Sequence, residues 1–489
     1  MTTTKQRDGT SRFRLDALVY LVSNLLMRGL WIVLTPFYTR VMSPQDFAVV
    51  AVANTLTTAL SIVLGVAVYA GIPRLYYDFA TDESRRRFLG TVLLFSTVFP
   101  AGVGAVLELL GTLGCLELFA TVPFRPYLEL VVWTAVLSNL LNLPTSVYTT
   151  REQPRKVAVL NISSGLLQLG VSILLVGVFR QGAVGVVRAG FCSAALMGVV
   201  SLVLMVRMSR LTIVWSDLRS ALAYSLPLVP HLIANWALSV SDRLVLEKYV
   251  SAAELGRYSL AYLFSTAVSV IAAAVATPIA PAANRQLGDP ELAKNVPPLG
   301  THALLITVLA GLLACVNARE LVSVLAPSAY GDAARFVPWV VAGAVLQGVY
   351  LVWSTGTWYS KKTGAIPLVT IASVVVNVGL NIAFVPRYGA IVAAISTAVS
   401  YGVTAGLHGL LAHRNHRIPW EYGRWIAMAV AALISYATVQ WLAFDHVLVA
   451  LLLKSIACLV VFVGGLAALG FVDREELSRV MARLARRRS

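Results

Sequence analysis

Arg28 is the side chain whose position in this sequence implies the most specific chemistry. It lies in the middle of an apolar run, where a guanidinium costs several kcal/mol unless it faces water or an anion. A guanidinium binds a phosphate through two parallel hydrogen bonds. The position therefore predicts that Arg28 binds a phosphate group. A structural ion pair or a hydrogen-bonded helix contact is the alternative.

Polar side chains, most of them neutral, recur at helical spacing around Arg28 and in three other apolar runs. Polar faces avoid lipid, so these stripes predict a water-filled cavity between helices. Ordinary hydrogen bonding between membrane helices is the alternative explanation. The stripes are Asn24, Arg28, Trp31 and Thr35; Asn54, Thr58 and Ser61; His231, Asn235, Ser239 and Asp242; and Tyr262, Ser265 or Thr266, and Ser269.

A pair of opposite charges, Asp242 and Arg243, follows the third stripe directly. The pair is a candidate for gating or ion coupling, although a long side chain at a helix end also reaches toward the membrane surface. Pro227 and Pro230 interrupt the start of the same run, which predicts a break in the helix. His231 is a further candidate in this stripe, because histidine is the side chain most often used for proton transfer near neutral pH, and a hydrogen-bonded core histidine is the alternative.

Motifs of enzymes and of metal or cofactor sites are missing. The sequence has no Walker A loop, HExxH, GxSxG or glycine-rich dinucleotide motif. Its four cysteines are far apart and lack metal-ligand spacing. We expect no enzymatic activity, no cofactor and no metal. Without an ATP site, any pumping must draw on ion gradients, the membrane potential or the substrate gradient.

Composition shows which elements must carry these residues. The 489-residue chain is 58% hydrophobic and 13% charged, with a mean hydropathy of +0.77, whereas soluble domains are about 25% charged. Apolar runs of roughly 20 residues, the length of one helical span, fill most of the sequence. Helices satisfy their own backbone in lipid. The chain is therefore predicted to be an all-α, polytopic membrane protein with about 14 transmembrane helices.

The basic residues predict the orientation of these spans. Of the 39 Lys and Arg residues, 27 lie in alternate segments that include both ends of the chain, and nine lie in the intervening ones. Cytoplasmic loops retain Lys and Arg, so both termini are predicted to be cytoplasmic and the first span to be a retained signal anchor. The same rule explains the net charge of +16 without nucleic-acid binding.

The sequence also repeats itself at an offset of 207 to 209 residues. The matches are Arg40-x-x-Ser43-x-x-Asp46 with Lys248-x-x-Ser251-x-x-Glu254, Gln168-x-Gly170-x-Ser172 with Asn377-x-Gly379-x-Asn381, and Arg180-x-Gly182-Ala183 with Arg387-x-Gly389-Ala390. Repeats of this kind are typical of secondary transporters. We predict two six-helix lobes plus two extra C-terminal helices. The predicted parts are a cytoplasmic N-terminus over 1–14, an N-lobe over 15–210, a C-lobe over 211–415, spans 13 and 14 over 416–471, and a basic amphipathic tail over 472–489.

Short motifs along the chain resemble the polysaccharide transport family of the multidrug/oligosaccharidyl-lipid/polysaccharide exporter superfamily, which contains Wzx-type O-antigen and exopolysaccharide flippases. The motifs are Pro36-Phe-Tyr-Thr-Arg-Val-Met-Ser-Pro-Gln-Asp-Phe47, Tyr224-Ser-Leu-Pro-Leu-Val-Pro230, Ser241-Asp-Arg243, Glu254-Leu-Gly-Arg-Tyr-Ser259 and Asn381-Ile-Ala-Phe-Val-Pro-Arg-Tyr-Gly-Ala390. The family usually has glycine where this chain has Ala48.

The resemblance implies a flippase that carries a lipid-linked oligosaccharide, usually on undecaprenyl pyrophosphate, across the bacterial cytoplasmic membrane by alternating access. It implies membrane lipids, a coupling cation (proton or sodium) and polysaccharide polymerase machinery as partners. On this hypothesis Arg28 binds the phosphate. Asn24, Asn54, His231 and Asn235 line the sugar path, and Asp242 and Arg243 serve gating or ion coupling.

Two other functions stay open at this stage. A drug/cation antiporter of the same superfamily would have twelve spans and usually a buried acidic coupling residue. A membrane O-antigen polymerase or ligase would carry a large external loop with catalytic Arg or His, and no external loop here exceeds about 20 residues on the predicted spans. The sequence does not distinguish O-antigen, capsule, teichuronic acid or exopolysaccharide as the product.

Overall fold

Long apolar helices form nearly all of the structure, a computed structural model that describes residues 34–116, 119, 121–360, 362 and 364–471. Every regular element among these residues is helical. Thirteen of their helices are long and apolar enough to cross a membrane. The predicted first span lies largely outside the described residues. The prediction of an all-α, multi-pass membrane protein with about 14 helices is confirmed.

The described residues form two compact units that divide between Ser259 and Leu260. The predicted lobe boundary near residue 210 stays a prediction. The first unit contains α1 (Pro44–Gly65), α2 (Asp82–Thr112), α3 (Glu129–Thr150), α4 (Pro154–Ser172), α5 (Gly182–Met208), α6 (Trp215–Ser225), α7 (Leu228–Val240), α8 (Asp242–Tyr249) and the start of α9 (Ala252–Ala276).

The second unit contains the rest of α9 and the longer helices that follow it. They are α10 (Ile279–Gln286), α11 (Val296–Val316), α12 (Ala318–Leu325), α13 (Val337–Trp353), α14 (Ile366–Tyr388), α15 (Ala390–Asn415), α16 (Tyr422–Val439) and α17 (Val447–Ala468). α16 and α17, the predicted spans 13 and 14, pack against α11. Their contact buries Met428, Ala431, Cys458 and Phe462.

The sequence repeat corresponds to repeated local structure. Ser43 and Asp46 form a capping box at the start of α1, with the Asp46 N–H donating to Ser43 Oγ at 3.2 Å. At the start of α9 the Glu254 N–H donates to Ser251 Oγ at the same distance, 3.2 Å. The repeated motif is therefore a helix N-terminal cap, which satisfies backbone N–H groups that have no partner within the helix.

The repeated glycines mark equivalent turns in the two units. Gly182 has a φ of 55° and begins α5, and Gly389 has a φ of 71° immediately before α15. Positive φ is accessible to glycine without steric cost. Both halves of the chain thus use glycine to reverse direction before the corresponding helix.

One helix pair in the first unit approaches to backbone contact. A Cβ on Gly256 would lie 1.8 Å from the carbonyl oxygen of Pro44, so α9 meets the start of α1 with no space for a side chain. Small residues permit such close approach between membrane helices. Ala48, the residue that departs from the family pattern, is fully buried. The close approach at this place depends on the glycine of the second repeat, Gly256.

Buried polar contacts join helices within the second unit. Ser396 Oγ of α15 donates to Asn381 Oδ1 of α14 at 2.8 Å, and Thr404 Oγ1 donates to Ser373 Oγ at 2.8 Å. Lys454 of α17 forms an ion pair with Glu320 of α12 at 2.5 Å, and the two side chains are only 5% and 12% exposed. Inside a bilayer such polar pairs must find partners in protein, so they fix which helices are neighbours.

Candidate functional site

The predicted site residues fall into described and undescribed parts of the chain. Asn24 and Arg28 lie outside the described residues, so their predicted roles stay predictions. Asn54 lies on α1, His231 and Asn235 lie on α7, and Asp242 begins α8. All of these described positions belong to the first unit.

Asn54 lines a cavity of about 190 Å³ inside the first unit. The cavity is bounded by α1, α3, α4 and α5, and its described lining contains no ionisable side chain. The polar lining consists of amides and hydroxyls, and the rest is aliphatic or methionine. The polar residues are Asn54, Thr57, Thr134, Ser138, Ser164, Gln168 and Ser193.

Most hydroxyl protons of this lining are already used by the backbone. Thr57 Oγ1 donates to Ala53 O at 2.8 Å, Thr134 Oγ1 to Leu130 O at 2.6 Å, and Ser193 Oγ to Ser164 O at 2.9 Å. A hydroxyl that donates its only proton still has lone pairs that accept. These three oxygens therefore present acceptors to a ligand.

The amide groups of Asn54 and Gln168 add both donors and acceptors to the cavity. Within the described part of the chain neither amide has a hydrogen-bond partner. Each carries two N–H donors and one carbonyl oxygen. The described lining thus matches a ligand that both donates and accepts hydrogen bonds.

Three residues of the predicted stripe, His231, Asn235 and Ser239, lie on α7, which packs beside α1, whereas Asp242 begins α8. Asn235 Nδ2 lies 3.0 Å from His231 Nε2, and Ser239 Oγ donates to Asn235 O at 2.8 Å. The indole N–H of Trp236 donates to Thr55 O of α1 at 3.1 Å. This bond ties the helix that bears His231 and Asn235 to the helix that bears Asn54.

Asp242 and Arg243 form a buried pair and do not extend to a surface. Their side chains are 4% and 10% exposed, with the Arg243 guanidinium 3.4 Å from Asp242 Oδ1. The hydroxyl of the fully buried Tyr258 donates to the other carboxylate oxygen, Oδ2. Asp242 lies just beyond the candidate span Trp215–Val240. Burial raises the pKa of Asp242, while the charge of Arg243 and the hydrogen bond from Tyr258 act in the opposite direction.

A further polar contact attaches a loop to α8, the helix that begins with Asp242. The Thr121 N–H donates to Glu247 Oε1 of α8 at 2.9 Å, and Thr121 Oγ1 donates to the same oxygen at 3.2 Å. The loop before α3 is therefore attached to α8, four residues after Arg243. Neither Thr121 nor Tyr258 was selected from the sequence as a site residue. Tyr258 lies in the family motif Glu254–Ser259, but nothing in its local spacing indicates a contact with Asp242.

The cavity residues on α3, α4 and α5 were also not predicted as site residues. Gln168 carried a signal, since it lies in the repeat opposite Asn377. Thr134, Ser164 and Ser193 are single hydroxyls in long apolar helices, a pattern equally typical of helix packing. Among the described residues there is no cluster of three or more His, Cys, Asp or Glu side chains that would hold a metal ion.

Comparison with known proteins places the chain among membrane proteins of glycan assembly. The model of a family described as polysaccharide biosynthesis protein matches residues 37–335. The probable low-salt glycan biosynthesis flippase Agl15 of Haloferax volcanii is 23% identical over 321 residues. That match covers 64% of this chain and 66% of the relative, slightly less than two thirds of the relative's length.

Solved structures with the same fold include two kinds of transporter. The lipid II flippase MurJ, in an inward closed conformation, has a TM-score of 0.73 at 14% identity, covering 92% of this chain and 98% of that one. An inward-facing multidrug resistance MATE family transporter of the MOP superfamily has a TM-score of 0.61 at 15% identity, covering 81% and 97%. At these identities the likeness establishes the fold alone.

Proposed function

Because this chain belongs to the polysaccharide biosynthesis protein family, we propose that it is a flippase that moves a lipid-linked oligosaccharide across a membrane. The family membership predicted from the short motifs is confirmed. The fold shared with MurJ and with a MATE transporter supports transport as the activity. The substrate proposed is an oligosaccharide on undecaprenyl pyrophosphate, carried from the cytoplasmic to the outer leaflet of a bacterial cytoplasmic membrane by alternating access.

The observation that carries this proposal is a hydrogen-bonding cavity, whose described lining has no charged side chain, inside a family member of this fold. Sugars offer many hydroxyls and few charges, and ligand sites supply a small number of placed polar groups on an apolar wall. A hydroxyl- and amide-lined cavity fits that chemistry. The lipid tail would stay in the bilayer, where its burial requires no protein pocket.

The proposed division of labour follows the chemistry of the side chains. Arg28 binds the phosphate of the lipid carrier, since a guanidinium matches phosphate geometry. Asn24, Asn54, His231 and Asn235 line the sugar path. In support, Asn54 of α1 lines the cavity. His231 and Asn235 contact each other on α7, the helix that packs beside α1.

Gating or ion coupling is the role proposed for Asp242 and Arg243. A buried carboxyl whose pKa is raised by burial is able to take up a proton when its ion pair opens. Asp242→Asn removes this titration but preserves the shape of the side chain. We expect surface glycan to fall in cells that contain Asp242→Asn at the wild-type protein level. Unchanged export in that variant would refute the coupling role.

The proposed transport step is tested by deleting the gene, extracting lipid-linked glycans and quantifying surface polysaccharide. Single completed repeat units should accumulate on the inner leaflet while surface glycan is lost. Units that reach the outer leaflet and remain unpolymerised would contradict the flippase proposal and favour a polymerase or ligase. Restored export by wild type, and not by Arg28→Ala at equal protein level, would support the phosphate-binding role.

A drug/cation antiporter is the second candidate, because the MATE transporter shares the fold. Antiporters of that kind usually require an acidic coupling residue deep inside a lobe. The described lining of the first-unit cavity contains no acid. Drug resistance that changes on deletion, with surface glycan unchanged, would favour the antiporter.

A further inference from the structure

We infer that the first-unit cavity holds one uncharged sugar residue of the transported glycan, an inference that rests on the proposed function and names the ligand class of one site within it. The cavity therefore discriminates against sugars that carry a carboxylate or an amine. Three observations lead to this conclusion: the size of the cavity, its hydrogen-bonding groups, and the buried, hydrogen-bonded side chains at the equivalent position in the second unit.

The size of the cavity fits one sugar ring. A volume of about 190 Å³ corresponds to roughly six water molecules at ~30 Å³ each. A bare metal cation would leave most of that space unfilled. Pockets for drug-sized ligands begin at about 300 Å³, so the cavity itself holds only part of an oligosaccharide repeat. One pyranose ring with its substituents is an object of this size.

The lining groups select for a neutral ligand. The oxygens of Thr57, Thr134 and Ser193 accept hydrogen bonds, since their protons are donated to backbone carbonyls. Sugar hydroxyls supply the matching donors. An anionic sugar would lose its hydration without gaining a cation, because the described lining contains none. Burying an uncompensated charge costs far more than burying a hydrogen-bonded hydroxyl.

The two amides supply the donors that a sugar's ring and hydroxyl oxygens require. Asn54 on α1 and Gln168 on α4 lie on different walls of the cavity. Amide side chains bind two adjacent hydroxyls, or an acetamido group, through one N–H and one carbonyl oxygen. Met197 and Leu141 add an apolar wall that fits the C–H face of a sugar ring. The cavity thus provides both kinds of contact.

The equivalent position in the second unit shows that an open cavity is not a necessity of this fold. Asn377, which the repeat aligns with Gln168, is only 1% exposed, and its Oδ1 accepts a hydrogen bond from Asn381 at 3.2 Å. Asn381 in turn accepts from Ser396 at 2.8 Å. In the second unit the polar side chains contact one another, although Asn377 Nδ2 is buried without a hydrogen-bond partner among the described residues. In the first unit the corresponding amide faces a cavity.

The test measures weak sugar binding directly with the full-length protein in nanodiscs. Saturation-transfer NMR is titrated with methyl α-D-glucopyranoside, methyl 2-acetamido-2-deoxy-α-D-glucopyranoside, glucuronate and glucosamine. We expect transfer to at least one of the two neutral glycosides and none to the charged sugars. Gln168→Met, which removes the amide at nearly constant length, should weaken binding about tenfold, the effect of one lost hydrogen bond with a partner left unpaired.

Matched substitutions separate the cavity from unspecific effects. Ser164→Ala removes a lining hydroxyl, and Ser163→Ala removes an exposed one on the same helix. Gln440→Met is the control for the amide, because Gln440 is exposed and lies in the second unit. Binding should fall in Ser164→Ala and should be unchanged in both controls. Equal affinity of wild type and Gln168→Met, or equal binding of glucuronate, would overturn the inference.

Failure of this inference is distinguishable from failure of the proposed function. Accumulated inner-leaflet repeat units on gene deletion, together with no saturation transfer to either neutral glycoside, would reject the sugar site and leave the flippase intact. Neutral-sugar binding without any export defect on deletion would reject the flippase proposal and leave the sugar site intact.

Discussion

Gly256 is the position where a single added atom tests the packing of the first unit. An alanine Cβ there would lie 1.8 Å from the Pro44 carbonyl oxygen, whereas real Cβ contacts are essentially never shorter than 3.0 Å. The start of α9 must therefore move away from α1 by about 1.2 Å. A backbone oxygen cannot rotate aside as a flexible side chain does, so the helices themselves must separate.

The expected loss of stability follows from two opposing effects. Overpacking of this kind costs about 1–3 kcal/mol, and alanine in place of glycine inside a helix returns about 1 kcal/mol. Because the clash is with backbone, we take the cost at the upper end of that range, about 2–3 kcal/mol, and expect a net loss of about 1–2 kcal/mol for Gly256→Ala. The unfolding entropy scales with chain length, so for a chain of 489 residues the corresponding fall in Tm, measured for the purified protein in detergent, is about 1–2 °C.

Gly379→Ala is the matched control for this measurement. Gly379 also lies inside a helix, but a Cβ there would meet no atom within 4 Å. The helix preference for alanine then acts alone, and Tm should be unchanged or slightly higher. A Tm of Gly256→Ala at or above that of Gly379→Ala would refute the reasoning that α9 and α1 are in backbone contact.

Three other substitutions test buried polar contacts by thermal unfolding. Lys454→Met leaves the Glu320 carboxylate buried without its partner, so we expect a loss of about 3–5 kcal/mol in the free energy of unfolding. The double variant Lys454→Met/Glu320→Gln should recover most of this loss. Equal stability of the single and double variants would contradict the prediction. Tyr258→Phe removes the hydroxyl that donates to Asp242. It should lower the free energy of unfolding by about 1.5–3 kcal/mol, the value of a hydrogen bond to a charged group. An equal loss when Tyr258→Phe is made in Asp242→Asn would argue against the contact. Trp236→Phe deletes the hydrogen bond to the α1 carbonyl of Thr55 and should lower the free energy of unfolding by about 1 kcal/mol. An unchanged Tm would contradict this prediction.

The prediction of an all-helical membrane protein needed only the sequence, because lipid constrains the backbone so strongly. Each span must be an apolar run of roughly 20 residues, and helices are the structure that satisfies such a run internally. The repeat was also visible in the sequence. Its matches, such as Ser43 with Ser251 and Gly182 with Gly389, are caps and turns, whose local geometry restricts the residue type directly.

Side-chain partnerships were decided by the tertiary structure alone. Lys454 was visible as a charge inside an apolar run, but its partner Glu320 is 134 residues away. Asp242 and Arg243 were noticed because they are adjacent, and nothing local indicated that Tyr258 closes the cluster. A pair of hydrogen-bonding atoms depends on where two helices cross, and the spacing within one helix does not contain that information.

The sequence thus determined the class of fold, the repeated caps and turns, and the stripe on α7, since each follows from a single helix in lipid or from one turn. It did not determine that Gln168, Thr134 and Ser193 meet Asn54 around one cavity. Single hydroxyls and amides in apolar helices are equally suited to packing and to binding. Only the arrangement of four helices leaves a space among these groups in the first unit, while the second unit closes the equivalent place with hydrogen bonds of its own.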